Sequence, residues 1–238
     1  MRIAFHVHSD WSYDGKLSLP EVSRLFARRG YDAVMLCEHC RTFSQARWIE
    51  YQEACENGST HAVLIPGIEY SDPDNVVHIP TWGLSDFVGA EIPTQEVIDR
   101  IAAEQAFAVF AHPARRNAWE RFQSEWANAL TGYEFWNRKT DGFAPSQRWQ
   151  EMEAKGLKPM LALDYHSDRQ RMPFVLRFSG EAANAPQFAQ FLRDGDFKQS
   201  IFGAPLGIAR NPVTQAGLRV VESGKRWVRR SQAKRSAD

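Results

Sequence analysis

Six of the seven histidines in this chain fall within or directly after a short apolar run: His6, His8, His39, His78, His112 and His166. Glu69, Asp14 and Asp164 occupy the same kind of position, whereas His61 stands at the start of a run and is read as structural. Apolar residues would close a strand at lower cost than His6 and His8 do, so the fold must give these side chains a common use. The runs themselves set the frame. Arg2 to His8, "DAVMLCEH", "HAVLIPGIEYS", "NVVHIPTWG", "FAVFAHP", "TGYEFWN" and "KPMLALDYH" have strand length and composition.

Most of these runs are followed by a stretch of helical period. "SLPEVSRLFARRG" carries its signals openly, with Ser18 as cap, Glu21 completing a capping box, Leu17 and Val22 as staple and Gly30 as stop. Further helices are expected over 44–56, 94–105, 118–130, 145–155 and 184–192, and "DPDN" marks a turn between two strands. About seven strands alternating with helices favour a parallel sheet. In 238 residues the expected result is a single α/β domain, a distorted (β/α)7 TIM-like barrel. It is expected over residues 1–215, with 216–238 as a basic C-terminal extension packed on it or trailing from it. From Arg219 onward, Lys and Arg take seven positions against two acids.

In parallel barrels the C-terminal ends of the strands converge on one face, so residues far apart in sequence meet in one cleft. Strand alternation also places His6 and His8 on the same side. Six histidines, two aspartates and a glutamate in one cleft are unstable as free charges and lone pairs. Divalent cations resolve the conflict: imidazole with carboxylate suits zinc, manganese or iron, and nine ligands exceed what one ion takes, so two or three are expected. Taken singly each piece is weak. A histidine at a strand end is most often hydrogen-bonded structure, Asp14-Gly15 alone is a turn, and Asp164-x-His166 alone is a helix cap. Their joint placement at successive strand ends is what carries the inference.

Composition narrows the class further. Twenty-nine basic and 29 acidic residues give no net charge, which argues against a surface built throughout to attract nucleic acid or anionic lipid. No run approaches 18 apolar residues, no signal-peptide zones open the chain, and three cysteines make a poor disulfide framework. A cytoplasmic protein with no membrane association is expected.

With these residues in view, the chain resembles the PHP (polymerase and histidinol phosphatase) family of metal-dependent phosphoesterases. "FHVHSDWSYDG" looks like its first motif, "CEHC" its second, "PGIEYS" the Gly-x-Glu motif, "VVHI" the histidine that follows, "FAHPAR" the Ala-His-Pro motif and "LDYHS" the terminal Asp-x-His. The resemblance implies a seven-stranded distorted barrel with a trinuclear site. By motif, His6, His8, Glu69 and Asp164 would hold one ion. Glu69, His78 and His112 would hold a second, and Asp14, His39 and His166 a third. Glu38 stands where the family usually has Asp and is expected to orient the ring of His39. Tyr165 is bulkier than the usual residue.

Close-spaced metals suit phosphate-ester hydrolysis, with a metal-bridging hydroxide attacking phosphorus in line. His112, Arg115 and Asp164 are the expected catalytic residues. Arg115, Arg116, Arg138, Lys139 and Arg41 are the expected phosphate donors, with Asn137, Arg169 and Arg171 near the same face. Trp11, Trp82, Trp119 and Trp136 are candidates for stacking on a base or sugar. The expected function is a small-molecule phosphatase acting on a histidinol-phosphate-like or nucleotide substrate. One alternative is a nucleotide or oligonucleotide phosphodiesterase, with nucleic acid as partner. Another is a non-enzymatic, metal-containing interaction module that docks through the tail "GKRWVRRSQAKR".

Overall fold

The computed structural model describes residues 1–146, 149–178, 190 and 197–235. The helix expected over 184–192 lies, but for residue 190, outside them. The seven apolar runs become nine strands, because two of them break. They are β1 (Arg2–Val7), β2 (Ala33–Leu36), β3 (Glu38–His39), β4 (Val63–Ile65), β5 (Gly67–Ser71), β6 (His78–Trp82), β7 (Phe107–Phe110), β8 (Gly132–Asn137) and β9 (Lys158–Ala162). Three more follow: β10 (Phe174–Phe178), β11 (Phe197–Ile201) and β12 (Ala204–Pro205).

These strands form two six-stranded sheets in one α/β domain, ordered β12-β11-β10-β1-β2-β4 and β3-β5-β6-β7-β8-β9. Among the described residues the strands do not pair into one closed, all-parallel barrel, although Val7 bridges Tyr165 in parallel between the two sheets. The pairs β1–β2, β2–β4, β3–β5, β7–β8 and β8–β9 are parallel, while β5–β6, β6–β7 and β1–β10 are antiparallel. Connection length explains the reversal at β6. Only a short turn over 72–77 separates it from β5, and a parallel return needs a crossover of a dozen residues or more. Asp72 builds that turn by accepting the amides of Val76 and Val77 at 2.7 and 3.2 Å. The two sheets are stitched where β1 meets the segment after β9. Leu163 N donates to Phe5 O (3.0 Å), Tyr165 N to His6 O (3.1 Å) and His8 N to Tyr165 O (2.8 Å).

Two apolar clusters follow from this layout. The inner one is built from strand residues and their neighbours: Ile3, Phe5, Met35, Trp82, Phe107 and Met160 are among them. Trp82 is buried here rather than placed to stack on a ligand, and its indole N–H donates to Leu36 O at 2.6 Å. Gly67 makes room for it, since a Cβ there would lie 2.3 Å from Trp82 Nε1. The outer cluster packs the other strand faces against the helices. α1 (Leu19–Arg28) contributes Leu19, Val22 and Phe26, with the Glu21 carboxylate accepting Ser18 N at 2.9 Å as the capping box predicts. α2 (Gln45–Gly58) and α3 (Thr94–Glu104) also match expectation.

The stretch 118–130 does not form the expected α-helix. It folds as two short 3-10 segments, Arg115–Arg121 and Ser124–Asn128, with Arg116 and Asn117 in the left-handed region. The four-residue spacing of Ala118, Phe122, Trp126 and Leu130 does bury all four, but through tertiary contacts; Phe122, for instance, packs edge-on against both Phe110 and Trp126. Beyond β8 lie α4 (Arg138–Asp141), α5 (Trp149–Glu153), α6 (Leu206–Arg210) and α7 (Pro212–Arg235). α7 runs through residue 215 without a break. Among the described residues no helix is long and apolar enough to cross a membrane.

Candidate metal centre

The ends of the strands gather the predicted residues on one face. At the end of β1 the register with β2 shifts between Phe5 and Val7, and His6 takes a left-handed φ of 62°. Ile3 and Phe5 belong to the inner cluster, whereas Ala4 and Val7 belong to the outer one. The bulge therefore turns His6 inward with Phe5, and His8 follows on the same side. β6 runs backward, so its first residue, His78, reaches the face where its parallel neighbours end. His112 and Asp164 also adopt positive φ (28° and 47°). Left-handed backbone at three non-glycine residues costs about 1–3 kcal/mol each, and such strain clusters at functional sites.

Glu69 is the hub. Its Oε1 lies 2.9 Å from His78 Nδ1 and 3.1 Å from His112 Nε2, and its Oε2 lies 2.8 Å from His39 Nδ1. His6 Nε2 and His8 Nε2 face each other at 3.0 Å, and each stands within 4 Å of Asp164 Oδ1. Asp14 bridges His39 Nε2 (3.2 Å) and His166 Nε2 (3.1 Å). Three clusters of potential ligands result among the described residues, two of them sharing His8: His6, His8 and Asp164; His8, His39 and His166; and Glu69, His78 and His112.

Groups behind these side chains fix their tautomers. His6 Nδ1 donates to Glu134 Oε1 at 2.5 Å, and His8 Nδ1 to Ser12 Oγ at 3.1 Å, which leaves both Nε2 lone pairs turned into the site. His166 Nδ1 donates to Asp164 O at 3.0 Å with the same result. Glu134 also accepts His112 N (2.8 Å) and Asn137 Nδ2 (2.7 Å), and Asn137 reaches on to Asp164 Oδ2 (3.1 Å). Glu38 does not touch the His39 ring. It accepts Ser9 N and both the Ser9 and Ser12 hydroxyls (2.6 and 2.5 Å), so it acts on His8 through Ser12.

Electrostatics follow from burial and crowding. Burial opposes charge on His39, yet Asp14 and Glu69 raise its pKa to about 10. Burial is likewise outweighed at His6, which Glu134 and Asp164 hold well above its ordinary value. His8 goes the other way, lowered by burial and by the neighbouring imidazoles of His166 and His39. Glu69 is buried but stays well below the usual carboxylate range because His78, His112 and His39 surround it.

The donor set suits divalent cations. Four buried atoms, Asp14 Oδ1, His39 Nε2, Glu69 Oε2 and His112 Nδ1, make no hydrogen bond, although buried polar atoms nearly always do. Three of the four residues belong to the clusters, and Asp14 Oδ1 stands 3.2 Å from His39 Nε2 without hydrogen-bond geometry. Cations held between imidazole and carboxylate would satisfy them.

The centre floors a cleft of about 230 Å³, walled by Tyr13, Arg115, Lys139 and Thr140. The expected phosphate donors divide. Arg115 lines the cleft, its guanidinium 2.9 Å from Asn75 O and 3.1 Å from His78 Nε2. Lys139 lines it too, with Nζ 2.9 Å from His166 Nε2 and 3.6 Å from Asp164 Oδ1. Arg41 does not, being paired with Glu91 at 2.6 Å, and Arg116 reaches back to Asn75 O at 3.2 Å. Arg138 is buried beside a neighbouring groove, 4.2 Å over the Phe143 ring. Trp136 is fully buried, and Trp11 packs on Tyr51 under the Arg47 guanidinium. His61 is exposed and away from the centre, bonded to Thr60 Oγ1.

Sequence reasoning missed Glu134 and Tyr13. Glu134 had a signal, a lone carboxylate inside the apolar run "GYEFW". Tyr13, 63% exposed and stacked on His39 at 4.9 Å, had none.

No protein-family model matches the sequence, and no curated protein matches it. Among solved structures the fold is similar to that of PsfC from Pseudomonas syringae PB-5123, at 15% identity over 79% of this chain and 87% of that one, with a TM-score of 0.58. It is also similar to the lesion-specific endonuclease PfuEndoQ from Pyrococcus furiosus, at 11% identity over 84% of this chain and 57% of that one, with a TM-score of 0.56. These likenesses concern the fold.

Proposed function

We propose that this chain is a metal-dependent phosphoesterase of the PHP kind, acting as a phosphatase on a small phosphorylated molecule. The observation that carries the proposal is the buried hub at Glu69, where nine His, Asp and Glu side chains from across the sequence gather, six of them lining one cleft with Arg115 and Lys139. His6, His8, Glu69 and Asp164 are assigned to one divalent ion. Glu69, His78 and His112 take a second, and Asp14, His39 and His166 a third, with zinc, manganese or iron all compatible with these donors. Such ions, when bound, supply Lewis acidity toward phosphoryl oxygens at the floor of the cleft.

The chain's own residues do the rest. Arg115 presents a guanidinium fork beside His78, suited to two oxygens of one phosphate. Lys139 reaches the opposite wall and offsets the charge of Asp14 and Asp164. Glu134 and Ser12 hold His6 and His8 with their Nε2 lone pairs inward. Tyr13 offers an exposed ring at the mouth, against which a planar group can stack. All three cysteines are buried and free, in keeping with a reducing cytoplasm.

A second reading, cleavage of a phosphodiester in a nucleotide or oligonucleotide, is favoured by the basic groove beside the cleft and by the endonuclease of similar fold. A non-enzymatic module docking by a free basic tail has less support, because Glu222 of α7 accepts Phe143 N at 2.9 Å and ties the helix to the domain. The test is phosphate release from histidinol phosphate, mononucleotides, nucleotide bisphosphates, a short oligonucleotide and an aryl phosphate, with manganese or zinc. Turnover that vanishes in Asp164→Ala supports the proposal. No turnover on any of them with metal bound overturns it.

A further inference from the structure

We propose that the groove beside the metal cleft is a second phosphate subsite, so that the preferred substrates carry a phosphate group besides the one cleaved. The inference rests on the phosphoesterase reading for the cleft itself. The groove is about 590 Å³ in volume and is walled by Arg138, Lys139, Arg169 and Lys225, with Glu222 its only carboxylate among the described residues. Lys139 and Thr140 line both spaces, so groove and cleft adjoin at that turn of chain. A substrate with its scissile phosphate over the centre projects its remainder along that path.

The groove is built rather than incidental. Arg138 and Lys225 both approach the Phe143 ring, at 4.2 and 4.4 Å, and both line the groove, so two cations far apart in sequence face one space. Four cationic side chains around one space, against a single carboxylate among the described residues, favour an anion there. The Glu222 carboxylate accepts Phe143 N and stands 3.4 Å from Lys225 Nζ, at one side of the groove. Gly142, at φ +77°, makes this arrangement possible: a Cβ there would lie 2.5 Å from Glu222 Oε2. Arg169 is exposed at the rim and forms no ion pair among the described residues. Guanidinium and ammonium donors arranged this way suit a phosphate, whether a terminal monoester or a phosphodiester of a short chain.

Two measurements test the subsite separately from the chemistry. Inorganic phosphate is titrated calorimetrically into metal-free protein, native and Arg169→Ala/Lys225→Ala. About tenfold weaker binding in the double variant is expected for the loss of charge-assisted contacts, and equal affinity would overturn the subsite. Arg169→Ala alone, at an exposed side chain, keeps the test open if the pair impairs folding. With manganese, kcat/KM is then compared for a nucleotide with one phosphate, the same nucleotide with two, and a dinucleotide. A preference of about tenfold or more for a two-phosphate substrate, reduced in the variants, supports the subsite, and the better of the two such substrates identifies the source of the phosphate. Turnover with no such preference overturns the subsite and leaves the phosphoesterase intact. Phosphate bound in the groove with no turnover of any substrate overturns the phosphoesterase and leaves the subsite.

Discussion

Replacing Glu134 by glutamine tests how the centre is organised, because the change is isosteric and removes only a charge and an acceptor. The native carboxylate accepts three donors: His6 Nδ1 at 2.5 Å, His112 N at 2.8 Å and Asn137 Nδ2 at 2.7 Å. An amide can accept on one side only. If its oxygen keeps His6, its NH2 faces the His112 amide and the Asn137 NH2, leaving buried donors unsatisfied at about 1–3 kcal/mol. If its NH2 faces His6 instead, the ring must carry its proton on Nε2, and the lone pair aimed at His8 and Asp164 is lost. Either way the site loosens toward cations. Removal of such supporting partners commonly costs about 10–100-fold in metal affinity, or roughly 1.4–2.7 kcal/mol. The assay is competition for zinc or manganese against a chelator of known affinity, with circular dichroism to show that the fold persists. Affinity within threefold of native in a folded Glu134→Gln variant would refute the reasoning.

Other substitutions probe the support and the core. Ser12→Ala removes the acceptor for His8 Nδ1 and His39 N and a donor to Glu38, and should cost about 1–3 kcal/mol of stability along with metal affinity; an unchanged Tm and chelator competition would contradict it. Gly67→Ala would drive a Cβ to 2.6 Å from Leu36 O, a backbone atom that cannot swing away. A loss of about 3 kcal/mol or more is expected in thermal unfolding, and a Tm within 2 °C of native, about 1 kcal/mol for a chain this size, would rule that strain out. Tyr31 supplies an alkaline limit. Its hydroxyl donates to Phe174 O at 2.7 Å, and burial pushes its pKa up to about 12 from 10.0. Below pH 10 both states keep the proton. Between pH 10 and 12 the unfolded chain loses it first, and folding weakens by up to roughly 3 kcal/mol. Denaturant unfolding at pH 9 and pH 11.5 should show that loss reduced in Tyr31→Phe, and an equal loss in both proteins would exclude Tyr31 as its source.

The strand ends were legible because strands of one sense place chemistry at one end, whatever lies between them. Alternation is not what directs His6 and His8 into the site, however. Alternation alone would have sent both to the Ala4 face, and only the bulge at His6, invisible in "AFHVH", turns them inward. Strand and helix alternation indicates the α/β class but not every strand's sense: the short turn after β5 reverses β6, and no local pattern encodes how the sheets meet. The segment 118–130 misled because apolar residues four apart bury equally well from 3-10 turns when Phe110 supplies the partner surface. Adjacency in sequence to His39 and His112 suggests the cleft for Arg41 and Arg116, but side-chain direction takes them to Glu91 and to the Asn75 carbonyl. Tyr13 and the part of α7 in the basic groove depend on tertiary contacts that no local pattern encodes.

The most direct test of the metal centre is its stoichiometry. The chain, stripped with chelator, reloaded by dialysis against zinc, manganese or iron and freed of excess, would be assayed for bound metal by elemental analysis beside Asp164→Ala. Two or three ions per native chain, falling by at least one in Asp164→Ala, is the predicted result. No stoichiometric ion in the native chain with any of the three metals would contradict the account at its centre.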